Sequence, residues 1–116
     1  MITVEEERDY LRATIFGELT LSDYREFEQA IQRELDAALK VKLLIDLTRM
    51  SGFTLDVAWE EIRYSREHAH DFRRIAVVTD NQWTSWLSWV AAAFTDAEVR
   101  LFDDVAGANA WLAEIN

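Results

Sequence analysis

Asp46 and Asp80 are the side chains whose type and position could do chemistry in this chain. Each closes a short apolar run, Val41-Lys42-Leu43-Leu44-Ile45-Asp46 and Arg74-Ile75-Ala76-Val77-Val78-Thr79-Asp80. If the two runs are neighbouring parallel strands, both carboxylates stand at one sheet edge, where a pair could hold a cation or act as acid and base. Neither has a second ligand at a spacing that specifies a metal site, so turn and cap duty is the better expectation for both. Of the hydroxyls that follow Asp46, those of Ser51 and Thr54 are the candidate phosphate acceptors or helix caps. Thr54 opens a helical pattern and could accept a phosphate on the free N–H groups of a helix start. As a plain N-cap it would contribute about 1 kcal/mol, and that expectation is favoured. Thr48 and Gly52 lie in the same polar stretch. With Asp46 and Asp80 they outline the expected functional edge, at the loops after Gly17, Leu47, Val78 and Phe102. His68 and His70 are two residues apart and diverge by about 200° on a helix, so they do not chelate as an i, i+4 pair would. There is no Cys, which removes thiolate nucleophiles, disulfides and Cys-based zinc sites. The three Gly are isolated at 17, 52 and 107, so no Gly-rich phosphate loop exists. No catalytic residue, metal or cofactor is expected. A hydrolase using Asp46, Asp80 and a His is the least favoured reading, because it needs a carboxylate and an imidazole together in a cleft.

The elements that must position these residues follow from periodicity. Ile2 to Glu7 and Tyr10 to Gly17 predict an antiparallel hairpin about the Arg8-Asp9 turn, with Gly17 at a bulge or the strand exit. Thr20 and Asp23 form a capping-box pair flanked by the staple residues Leu19 and Tyr24. Tyr24, Phe27, Ile31, Leu35 and Ala38 then make the buried stripe of a first helix ending near Leu39-Lys40. Val41 to Leu47 is a central strand, and the residues after it are expected as a loop. A second helix from Thr54 to His70 is expected to bury Leu55, Ala58, Trp59, Ile62 and Ala69, with Arg66 the odd member of the stripe and Glu60, Glu61, Arg63 and Glu67 in water. Ile75 to Thr79 is the next buried strand. A third helix over 81–94 buries Trp83, Trp86, Leu87, Val90 and Phe94, while Trp89 points roughly 100° aside. Glu98 to Phe102 is the last strand, and Asp103 or Asp104 caps a fourth helix that packs through Val105, Ala108, Trp111, Leu112 and Ile115. The expected order over residues 1–116, one domain, is β-β-α-β-α-β-α-β-α: an α/β fold with a mixed, mostly parallel five-stranded sheet and four helices.

Composition narrows the partners. Half of the residues are hydrophobic, five of them Trp, which places the chain among globular proteins. The net charge is −10, from 12 basic and 22 acidic residues, and nucleic acid is excluded for want of a basic footprint. The longest candidate for a membrane span, Leu87 to Phe94, is far shorter than the roughly 20 apolar residues needed. The start Met1-Ile2-Thr3-Val4-Glu5-Glu6-Glu7 is not expected to be a signal peptide, having neither a basic region nor an apolar run, and the lack of Cys makes a cytoplasmic location the expectation.

Leu43-Leu44-Ile45-Asp46-Leu47, Gly52-Phe53-Thr54 with Trp59-Glu60-Glu61, Phe72-Arg73-Arg74-Ile75-Ala76-Val77-Val78-Thr79-Asp80 with Trp83, Glu98-Val99-Arg100-Leu101-Phe102 and Ala110-Trp111-Leu112 together resemble the bacterial SpoIIAA-like family. That family has the STAS fold of anti-sigma-factor antagonists and is related in fold to the Sec14/CRAL-TRIO lipid-binding domain. The resemblance implies a non-enzymatic protein-interaction module. True antagonists are phosphorylated on a Ser within an Asp-Ser-Ser-Gly pattern. Here Thr54 is the hydroxyl nearest that position and Leu55 follows it, so the chain departs from the switch motif. Two partner expectations remain. Self-association as a homodimer, or binding of another protein, would use Trp89 as an exposed anchor. Carriage of a lipid or other apolar small molecule would use Trp59, Trp83, Trp86 and Phe53 as a pocket lining.

Overall fold

Strand pairing in sequence order builds the molecule. The computed structural model describes residues 1–8, 10–37, 41–67, 70–79 and 98–114. Five strands, β1 (Ile2–Glu6), β2 (Leu11–Leu19), β3 (Val41–Phe53), β4 (Phe72–Val78) and β5 (Glu98–Phe102), form one sheet in the order β1-β2-β3-β4-β5. β1 and β2 are the antiparallel hairpin, closed by a Glu7 N–H to Tyr10 carbonyl bond of 2.9 Å, and every later pairing is parallel. Among the described residues there are three helices: α1 (Leu21–Ala37), α2 (Leu55–Glu67) and α3 (Val105–Leu112). The expected third helix over 81–94, with Trp83, Trp86 and Trp89, lies outside the described residues, as do Asp80 and His68.

The sheet is covered on both faces. Leu11, Ala13, Ile15, Leu43, Leu47, Ile75 and Val77 meet Tyr24, Phe27 and Ile31 of α1 and Val57 and Tyr64 of α2. On the opposite face Leu44, Ala76 and Val78 meet Ala108, Trp111 and Leu112 of α3. Burial on both sides explains why β4 reads as an unbroken apolar run after Arg74.

Short-range signals formed as expected. At the start of α1 the Thr20 hydroxyl accepts from the Asp23 N–H at 3.3 Å, and the Asp23 carboxylate accepts from the Thr20 N–H at 3.2 Å, completing the capping box. Asp104 caps α3, accepting from the Gly107 N–H at 2.8 Å. A Cβ at Gly107 would lie 3.3 Å from both that carboxylate and the Phe102 ring, so the glycine allows the cap to close.

Two expectations are corrected. The polar stretch after Leu47 is strand, not loop: β3 continues 13 residues, to Phe53, by pairing with β2 out to Leu19. Register shifts between Thr14 and Phe16, and again between Gly17 and Glu18, insert extra β3 residues opposite β2. Leu47 and Met50 are therefore both buried in the same core cluster although three residues apart, a spacing that hides the strand from a period-2 pattern. Gly17, at φ +66°, supplies the left-handed conformation between the two shifts.

The second correction concerns α2. Among its described side chains the buried ones are Val57, Glu61 and Tyr64, whereas Leu55 and Trp59, expected in the core, are 76% and 68% exposed, and the Ile62 side chain lies outside those described. Ala58 is half-buried, and Ala69 lies outside the described residues. The phase is set mechanically. Thr54 alone joins β3 to α2, and its N–H is tied to the Leu19 carbonyl at 3.2 Å, so the helix has no slack in which to rotate its apolar stripe inward.

Candidate functional site

The extended β3 relocates the expected functional edge. Asp46 pairs with Val78, the last residue of β4, while β3 and β2 run on together, so the sheet ends in a step and Asp46 sits at its foot. Its carboxylate is buried and accepts from the Thr48 N–H at 3.0 Å and the Thr48 hydroxyl at 2.6 Å. Those bonds hold the backbone where the first register shift begins, a structural duty rather than that of a free base. Thr48, Ser51 and Gly52 are strand residues along the projecting ribbon, not loop residues at a strand end.

Thr54 supplies the carbonyl that accepts the first bond of α2, from the Ala58 N–H at 3.3 Å. Its hydroxyl donates to the Asp56 carboxylate instead of capping an amide, and Asp56 in turn accepts from the Val57 N–H at 3.0 Å. The cap side chain is thus Asp56, an acid in the first turn where the helix dipole favours it. Phe53 is half-buried at the end of β3. Trp59 points away from the core and is not among the residues that line the cavity between the sheet, α1 and α2. His70 is an exposed turn residue.

A different cluster gathers the unusual chemistry. Where α1 crosses α2, the Tyr24 ring meets Phe27 edge-on at 5.6 Å and Tyr64 at 6.0 Å. Glu61, on the same side of α2, is buried. Burial, then the nearby charge of Glu61, pushes the Tyr24 hydroxyl well above the usual tyrosine range, and burial with the charge of Glu28 raises Tyr64. Beside them Glu28 of α1 and Glu60 of α2 share a hydrogen bond. Burial first, then that bond and the Glu60 charge, lift the Glu28 carboxyl to about 7. Glu60 is held low, chiefly by the Arg63 guanidinium, which reaches its carboxylate at 2.9 Å and also bridges to Glu67 at 2.7 Å. Arg63 stands 3.8 Å from Glu28, too far to cancel the effect of Glu60.

Beneath this cluster is a cavity of about 50 Å³ between Ala13, Ile15, Ile45 and Val77 of the sheet, Tyr24 and Phe27 of α1, and Glu61 of α2. It has room for a few water molecules, against the roughly 300–1,000 Å³ of small-molecule pockets. Sequence reasoning placed Glu60 and Glu61 in water and missed the cluster. The signal was the i, i+4 pair Tyr24–Glu28 beside the buried stripe of α1, matched by Glu60 and Tyr64 on α2.

Fold and site together describe an α/β domain of the STAS type, with a five-stranded mixed sheet and helices on both faces. The family model described as SpoIIAA-like matches residues 10–113, and the chain belongs to that family. An uncharacterized protein from the DUF3478 family with a SpoIIAA-like fold, from Shewanella loihica PV-4, superposes with a TM-score of 0.76 at 30% identity, covering 97% of this chain and 93% of its own. An anti-sigma factor antagonist from Mycobacterium paratuberculosis gives a TM-score of 0.59 at 15% identity, covering 98% and 94%, a likeness of fold alone. Comparison with curated proteins gave no match.

Proposed function

We propose that this chain is a non-enzymatic regulatory module that works in the cytoplasm by binding protein, a second copy of itself included. The observation that carries the proposal is the outward placement of Leu55 and Trp59 on a domain whose cavity between the sheet, α1 and α2 measures only about 50 Å³. Large apolar side chains held together in solvent mark an interaction surface, whereas a carrier needs a cavity of ligand size. The structural neighbour named as an anti-sigma factor antagonist supports the same reading, since that name describes action on another protein. None of the described helices is long and apolar enough to cross a membrane. Asp46, engaged by Thr48, supports structure rather than acid–base chemistry.

The relation to Sec14/CRAL-TRIO domains, and carriage of a lipid or other apolar ligand, belong to the competing reading. Native mass spectrometry of gently purified protein, compared with its denatured mass, separates the two. Bare-sequence mass in one or more subunits is the expected result. Added mass that disappears on denaturation would make the protein a carrier and overturn the proposal.

A further inference from the structure

We infer that the outer crest of α2 is a self-complementary docking surface for a second copy of this chain, paired antiparallel about a two-fold axis. The inference rests on the protein-binding reading and names its partner and surface. On a 3.6-residue period, Leu55, Trp59 and Arg66 fall roughly 150–195° round α2 from the centre of its buried residues Val57, Glu61 and Tyr64. They form a ridge pointing straight away from the sheet, so elements packed on either flank of α2 leave it uncovered. Two of the large exposed apolar side chains, at 76% and 68%, thus share one ridge four residues apart.

The charges at the two ends of α2, Arg66 on the ridge and Asp56 on its flank, fit a second copy of the same helix. The first turn carries Asp56 and the last turn carries Arg66. Arg63 is engaged by Glu60 and Glu67, but Arg66 makes no ion pair among the described residues. Asp56 and Arg66 are separated by ~15 Å of helix. An antiparallel pair centred between them sets Asp56 of each copy beside Arg66 of the other, brings the two Trp59 rings to the middle, and opposes the helix dipoles favourably. A parallel pair would oppose like charges at both ends. Leu55 and Trp59 offer roughly 300 Å² of apolar surface per copy, against about 800 Å² per partner in a stable complex, so the dimer is weak, with a dissociation constant in the micromolar range.

Sedimentation velocity of the full chain from about 5 to about 500 µM tests this, with dissociation constants as the readout. Wild type is expected to dimerise. Trp59→Ala and Arg66→Glu are each expected to weaken the dimer at least tenfold, and Arg66→Lys to retain it. Circular dichroism and urea unfolding establish that the variants are folded. Arg66, being exposed, keeps the test valid should Trp59→Ala fold poorly. A wild-type dimer indifferent to both substitutions overturns this surface while leaving protein binding standing. Wild type that stays monomeric throughout overturns the second copy as partner. Failure of the protein-binding reading would show separately, as a co-purifying small molecule in the native mass.

Discussion

The two faces of the sheet are closed with charges of opposite sign. On the α3 face, cations do the closing. Lys42 donates to the Leu112 carbonyl at 2.8 Å, and Arg74 donates to the Trp111 carbonyl at 2.7 Å, so the free carbonyls at the end of α3 are answered by positive charge. The Arg74 guanidinium also lies 4.6 Å from the Trp111 ring centroid, with Arg100 at 5.5 Å. On the α1–α2 face, acids and phenols gather: Glu28, Glu60 and Glu61 beside Tyr24 and Tyr64, above a cavity. Lysine and arginine keep their charge at any physiological pH, whereas a carboxyl lifted to about 7 does not. One face is therefore a fixed clamp, and the other changes charge near neutrality.

The largest expected effect is on the clamp. Trp111 is buried, meets the Phe102 ring at 5.6 Å in a tilted contact and carries the two guanidinium contacts. Trp111→Ala should cost about 4 kcal/mol in urea unfolding, from lost burial plus the cavity left behind. A loss under 1 kcal/mol would mean that α3 is an appendage and the two faces are not comparable layers. Next comes Arg74→Leu, which removes the bond to the Trp111 carbonyl and the stacking while keeping much of the aliphatic bulk. About 2 kcal/mol is expected, the magnitude for a charged hydrogen bond inside a fold. No measurable loss would show that Lys42 alone suffices to hold the end of α3.

The titratable face responds to pH. The Glu28 carboxyl is raised in the folded state from an ordinary value of 4.5 to about 7, so the folded protein binds more protons than the unfolded chain between those limits. Its favourable contribution is present in full below 4.5 and is lost as pH rises through about 7. Glu28→Gln keeps the shape and abolishes the ionisation. The variant should match wild type near pH 5 and exceed it near pH 8 by about 1 kcal/mol, a figure reduced for partial exposure. Parallel stability–pH curves for the two proteins would remove the titratable character from this face.

Much of the architecture was legible because its signals are short-range. The Thr20–Asp23 capping box, the Asp104 cap, the hairpin and β5 are each specified within a few residues. What escaped depends on remote partners. The continuation of β3 past Leu47 is made by pairing with β2 through two register shifts, and Thr48-Arg49-Met50-Ser51-Gly52 carries the polarity of a loop. Arg49 lies over the Phe16 ring at 5.7 Å, a contact between strands that spacing along one strand cannot reveal. The acid–tyrosine cluster needed the crossing of α1 and α2 to bring Glu28 to Glu60. The candidate site was therefore the least legible part. Its acids Glu60 and Glu61 are residues that α2 alone presents as solvent-facing.

The smallest expected effect separates α2 from α3 most sharply. Trp59 and Trp111 both sit on helices against the same sheet, and both fall at positions that an apolar pattern assigns to the core. Only Trp111 is buried; the short Thr54 joint turns Trp59 outward. At concentrations well below the dissociation constant of the dimer, where any self-association is negligible, Trp59→Ala should change unfolding stability by less than about 0.5 kcal/mol, as at a surface position. A loss of several kcal/mol would place Trp59 in the core, restore the stripe of Leu55, Ala58 and Trp59 expected from periodicity, and remove the exposed ridge on which the docking surface depends. Near-equality would establish that the length of a strand-to-helix joint, rather than the apolarity of the helix, decides which tryptophan this fold shows to solvent.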